Sequence, residues 1–134
     1  MTENSQVNAA IRRHLAPLGR WRRMEHALDS GWPDWYYVMR RQPGWLEAKI
    51  AAKSGRPPDH LTIDQIMWAE EEVRWGGRWH LLALRPGSRT WLLYDAPGAR
   101  AWLEGHHEPL MAVRGAFPTK EIMDWLAPPL NHLR

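Results

Sequence analysis

In Trp45-Leu46-Glu47-Ala48-Lys49-Ile50-Ala51 an acid and an amine alternate with apolar residues. Side chains alternate across a strand. As a strand, the segment puts Leu46, Ala48 and Ile50 on one face, toward a core. Glu47 and Lys49 share the other face, about 7 Å apart. A solvated acid and amine on an exposed strand face is the plain alternative. Thirteen residues before Glu47 stands Pro33-Asp34. Proline donates no ladder hydrogen bond, so a strand starts there with Asp34 at its end. Two carboxylates so placed can hold a divalent cation through oxygen, as magnesium prefers. The Ala48 carbonyl can add another oxygen. A metal-bound water is then a nucleophile. Lys49 would orient it, or offset charge building on a phosphate. Parity is the difficulty. A turn centred on Pro43 puts odd-numbered residues on the face of Glu47, and Asp34 is even. The site needs a bulge or a shifted turn.

The elements that must position these residues can be read along the chain. Residues 3 to 15 have helical spacing through Val7, Ala10, Ile11 and Leu15, ended by Pro17 and Gly19. Trp21 to Leu28 reads as a first strand. Trp35 to Met39 and Trp45 to Ala51 read as a hairpin about the turn Gln42-Pro43-Gly44. A polar loop follows. Thr62 and Gln65 form a capping box, with Leu61 and Ile66 at the staple positions and Gly76-Gly77 closing the helix. Strands Arg78 to Leu84 and Thr90 to Tyr94 come next, then short helices at Pro97 to Gly105 and Pro118 to Leu126. The order is α-β-β-β-α-β-β-α-α. It predicts an α/β fold, one mixed central sheet flanked by helices.

The chain has 134 residues and no cysteine, which predicts one domain and excludes disulfide scaffolds and thiolate metal sites. The core is expected at about residues 3 to 95, with a C-terminal helical extension from about 97 to 134. No apolar run is long enough to span a bilayer, and Met1 to Gln6 lacks a signal-peptide core. A soluble cytoplasmic protein with no membrane partner is expected. The net charge is +3, and Arg12, Arg13, Arg20, Arg22 and Arg23 fall in a stretch without an acid. They form either a phosphate-binding surface or an ordinary basic one. Lys53, Arg56 and His60 follow the Glu-x-Lys strand, where a phosphate backbone can be gripped; a plain polar loop accounts for them equally well. His106-His107-Glu108 reads as solvated loop. Ten tryptophans point to core or interface packing, Trp68, Trp75 and Trp79 included.

Gly31-Trp32-Pro33-Asp34, then Glu47-Ala48-Lys49, then Leu61-Thr62-x-x-Gln65-x-x-Trp68, resembles the PD-(D/E)xK nuclease superfamily. The nearest likeness is to small VRR-Nuc and phage Holliday-junction-resolvase-like members. Arg23-Met24-Glu25 and Gly76-Gly77-Arg78 resemble short phage-encoded nucleases too, and the match runs from about residue 3 to residue 84. The resemblance implies a restriction-endonuclease-like core and hydrolysis of DNA phosphodiesters with Mg²⁺ or Mn²⁺. It makes Asp34 and Glu47 metal ligands and Lys49 the catalytic lysine. Gln65 matches the family's helix glutamine, although its cap role needs no catalysis. Glu3 or Glu25 would be an additional acid. Expected nucleic-acid contacts are Arg22, Arg23, Lys53 and Arg56. The expected job is processing of branched or recombination DNA, in a host cytoplasm if phage-encoded, with a homodimer as a further expectation because two symmetric cuts need two sites. The alternatives are a nucleic-acid-binding module with an inactive nuclease core and a non-catalytic dimerisation protein. The presence of all three core residues argues against a dead site.

Overall fold

The structure, a computed structural model, describes residues 4–24, 31–52, 56–58 and 60–130. Glu3, Glu25 and Lys53 lie outside the described residues. Helix α1 (Ser5–Ala10) runs on through a π-helical turn (Ile11–Leu15) and a 3-10 turn (Ala16–Leu18). Then come β1 (Arg20–Arg23), β2 (Trp35–Met39), β3 (Gln42–Ile50), α2 (Ile63–Arg74), β4 (Trp79–Arg85) and β5 (Thr90–Tyr94). The described chain closes with α3 (Ala96–Leu103), β6 (Met111–Arg114) and α4 (Thr119–Leu126).

The six strands form one open sheet in sequential order, β1-β2-β3-β4-β5-β6. Only β3 and β4 pair in parallel. A parallel pair needs a crossover, and α2 supplies it. The expected α/β class with a mixed sheet is what the chain adopts. The expected order omits β6, which pairs with β5 between α3 and α4. Met111-Ala112-Val113-Arg114 is too short to carry a clear strand period. Its pairing with Thr90 to Leu93 makes it one.

Two dry layers hold the sheet. On one face, Val7, Ile11 and Leu15 from the N-terminal helix and Ile122 and Leu126 from α4 pack on Trp35, Tyr37, Leu46, Ala48, Leu82 and Leu93. On the other, Ile66 and Ala69 of α2 and Ala99 and Trp102 of α3 pack on Leu81, Ala83, Leu92 and Tyr94. No helix among the described residues is long and apolar enough to cross a membrane.

The hairpin turn is not at Gln42-Pro43-Gly44. It is the two-residue turn Arg40-Arg41, with φ of 49° and 64°, the backbone of a type I′ turn. Positive φ is uncommon for arginine, yet the register requires it. With Trp35 opposite Leu46 and Met39 opposite Gln42, Trp35, Tyr37 and Met39 join Leu46 and Ala48 on one apolar face. The alternative turn would set those aromatics beside Glu47 and Lys49. Hydrophobic register therefore overrides the Pro-Gly signal. Pro43 is tolerated inside β3. The Trp45 N–H bonds the carbonyl of Arg78, and Pro43, two residues earlier, points to the same side, where β4 has not yet begun. Gly44 is needed because a Cβ there would collide with the Tyr37 ring.

Candidate active site

The shifted turn also resolves the parity difficulty. One step beyond the Trp35–Leu46 rung, Asp34 comes opposite Glu47. Gly31 guides the segment into this position. Its φ is +89°, and a Cβ would stand 2.7 Å from the Asp64 carbonyl oxygen in the first turn of α2. Only glycine fits both demands.

β3 extends past the start of β2, which leaves N–H groups on that side of β3 without strand partners. Side chains take them. Asp34 Oδ2 accepts from the Ala48 N–H at 2.9 Å, and Asn4 Oδ1 accepts from the Ile50 N–H at 3.1 Å. Asp34 Oδ1 pairs with Arg23 Nη1 at 3.1 Å, and the same nitrogen donates to the Asp34 carbonyl at 3.3 Å. An extended residue directs its N–H and C=O to one side, so the Ala48 carbonyl also faces the gap beside Asp34.

Glu47 and Lys49 are not on an exposed face. Helix α2 covers them, and their side chains are 2% and 5% exposed. Lys49 Nζ donates to Glu47 Oε2 at 3.0 Å and to the His60 carbonyl at 3.0 Å. Gln65 Nε2 reaches the same Glu47 oxygen at 3.1 Å. The two readings of Gln65 coexist in one amide. Its Oε1 accepts from the Thr62 N–H at 3.1 Å, its own N–H donates to Thr62 Oγ1 at 3.3 Å, and its NH₂ end faces the acid. The capping box fixes the rotamer that delivers the donor.

The other oxygen, Glu47 Oε1, is buried with no hydrogen-bond partner among the described residues. Burial, and then the negative charge of Asp34 within hydrogen-bonding reach, push the Glu47 carboxyl up to about 8, against the opposing pull of Lys49. A buried acid held against a second acid, with one bare oxygen, is a group short of positive charge. Among the described residues no three acids or imidazoles gather into a metal cluster. The oxygens available to a cation are those of Asp34, Glu47 and the Ala48 backbone. Hard divalent cations take such oxygens and keep several waters.

The structure sorts the remaining candidates. Arg22 is exposed on β1, and Arg56 is exposed in the loop after β3. Arg23 is bound to Asp34 and sits 5.6 Å from the Trp35 ring centroid, so it is already engaged by one of the acids. His107 Nε2 lies 2.6 Å from the Tyr94 hydroxyl, beside Trp102, away from the acids. Trp79 is buried, while Trp75 is 78% exposed. Trp68 joins Trp32 and Trp45 in an aromatic cluster. Asn4 and the His60 carbonyl escaped the sequence reading. Nothing local marks them; only the surplus length of β3 and the fold of the following loop bring them in. No protein-family model matches the chain, and no curated protein matches it.

Proposed function

We propose that this chain is a metal-dependent DNA nuclease of the PD-(D/E)xK type, with a restriction-endonuclease-like core, hydrolysing phosphodiester bonds with Mg²⁺ or Mn²⁺. The observation that carries this reading is the convergence of Asp34, Glu47 and Lys49, with Glu47 buried, raised in pKa and keeping one unpartnered oxygen. Asp34, Glu47 and the Ala48 carbonyl would hold the cation. Bound there, a divalent metal supplies a nucleophilic water at neutral pH and charge stabilisation at phosphorus.

The chain's own groups account for the rest. Arg23 and the Ala48 N–H hold the Asp34 carboxylate in place. Gln65 and Lys49 hold Glu47 by one oxygen and leave the other open. The Lys49 ammonium, anchored on the His60 carbonyl, is a fixed positive charge where negative charge grows on the phosphate. Branched or recombination DNA as substrate, and a homodimer, extend the proposal from the family resemblance.

The test is a cleavage panel of linear duplex, single strand, flap and four-way junction with Mg²⁺, Mn²⁺ or chelator. Cutting should need the metal and vanish in Asp34→Asn and Glu47→Gln. Lys49→Met should bind DNA without cutting it. Cleavage persisting in Glu47→Gln would refute the reading.

A further inference from the structure

Helices cover both faces of β3, β4 and β5, whereas among the described residues no helix packs on the second face of β1 and β2. That face is a shelf laid out in rungs. Arg22 stands beside Tyr36, and Tyr36 stands opposite Trp45. The next rung on the same face is Asp34 with Glu47, about 7 Å along the strands. Arg22 is exposed and pairs with no acid among the described residues. Tyr36 and Trp45 are half-buried, with ring centroids 4.9 Å apart. The indole is locked in place, since its Nε1 donates to Glu72 Oε2 at 3.2 Å and Trp32 and Trp68 pack against it. A cleft of about 430 Å³ opens here, walled by Tyr36, Trp45, Arg41, Glu72, Gly77 and Arg78. That is within the size range of small-molecule sites.

We propose that this shelf takes an unpaired nucleotide next to the scissile phosphate, its base stacked on the Tyr36 ring with the tilted Trp45 indole against its edge and its flanking phosphates met by Arg22 and Arg41. The proposal rests on the nuclease reading and deepens it by naming the substrate class: DNA with a single-stranded end or flap at the cut. Three features select this occupant. Fixed aromatic rings at a groove attract unstacked bases whatever their sequence. In a duplex, base faces are already stacked and cannot enter. The exposed arginines beside the rings carry the charge a phosphate backbone requires. Glu72 and the Gly76-Gly77 backbone give the cleft polar groups for a base edge. The shelf also leads toward the acid pair, one rung away, so a base seated on it leaves the adjoining phosphate on the side of Asp34, the more exposed of the two acids.

The experiment compares a blunt duplex with the same duplex carrying a three-nucleotide overhang that contains 2-aminopurine. Binding is measured in chelator, and cleavage in Mg²⁺ is measured in parallel. The overhang should tighten binding about tenfold and its fluorescence should be quenched on binding. Tyr36→Ala should remove most of both effects, and Tyr36→Phe should keep them. Circular dichroism melting of each variant checks folding. Should Tyr36→Ala not fold, Arg22→Ala on the exposed strand serves instead: overhang binding should weaken, and the salt dependence should fall by about one counterion. Equal affinity for blunt and overhanging DNA would overturn the proposal, as would cleavage indifferent to overhangs. An overhang preference with no cleavage of any DNA would instead overturn the nuclease reading and leave a single-strand-binding shelf.

Discussion

Against α1 and α4 the sheet buries Trp35, Tyr37, Met39, Leu46 and Leu82, together with polar groups that are neutral. Asn8 accepts from the Trp35 indole at 2.9 Å, and the Tyr37 hydroxyl donates to the Leu126 carbonyl at 2.7 Å. His80, opposite Leu46 in the register, is kept uncharged, its pKa lowered to about 4 chiefly by burial. Against α2 the same sheet buries Glu47 and Lys49, an ionisable pair with a second acid pressing on it. The first face buries polar groups that carry no charge, some partnered, as Asn8 and Tyr37 are, and some without a partner among the described residues, as with the Trp91 indole and His80 Nδ1. The second keeps an arrangement that stability alone would not select, since a buried ion pair seldom repays its desolvation. The contrast marks the place where the proposed chemistry would sit. Charge is concentrated beneath α2, beyond the start of β2, where side chains replace ladder partners.

The largest expected effect comes from splitting the ion pair. Above about pH 8, where the Glu47 carboxyl is ionised, Glu47→Leu leaves the Lys49 ammonium buried without its partner charge and should cost about 3–5 kcal/mol in chemical denaturation. Adding Lys49→Met should restore wild-type stability or exceed it while cleavage stays absent. A double variant as unstable as the single one would break the contrast between the faces. Next, Leu82→Ala on the apolar face should cost about 3 kcal/mol yet leave metal-dependent cleavage intact below its melting temperature. Loss of cleavage in a folded Leu82→Ala protein would show that the two faces are coupled.

Acid and base should act on the two faces in opposite senses. The Glu47 carboxyl titrates near 4.5 when unfolded and near 8 when folded. The folded state therefore holds more protons between those values, and stability should fall as pH rises through that window. His80 titrates near 6.5 unfolded and near 4 folded. There the unfolded state holds more protons, and stability should fall as pH drops from about 6.5 to about 4. Thermal melts across pH should show Glu47→Gln flattening the alkaline side and His80→Phe flattening the acid side. A profile unchanged by either would remove its assigned cause. The smallest effect belongs to Gln65. Gln65→Ala should cost about 1 kcal/mol through the lost cap. Gln65→Glu should keep the cap and set a third acid against Glu47, so the alkaline loss of stability should shift to higher pH. An unshifted profile would reduce Gln65 to a cap alone.

Much of this was legible locally. The capping box at Thr62 and Gln65 depends on residues three apart, so the sequence reads it directly, and α2 begins there. The alternation in Trp45 to Ala51 separates Leu46, Ala48 and Ile50 from Glu47 and Lys49 as the strand does. The turn is not legible locally because Gln42-Pro43-Gly44 has the stronger local signal, whereas Arg40-Arg41 is imposed by pairing at a distance. The burial of Glu47 and Lys49 is hidden for the same kind of reason: an alternating strand normally has one wet face, but the parallel β3–β4 pair forces a crossover helix over the second.

The sequence by itself determined which residues can share a face, where α2 starts, and that Asp34, Glu47 and Lys49 are of the right types to act on a phosphate. These follow from the fixed periods of strand and helix and from side-chain chemistry. Tertiary structure alone decided that Asp34 meets Glu47, that Asn4 and Asp34 finish the free edge of β3, that one amide caps a helix and holds an acid, and that an aromatic shelf opens beside the site. Each depends on register or on contacts between residues far apart in the chain, and a shift of one residue in pairing reverses every face.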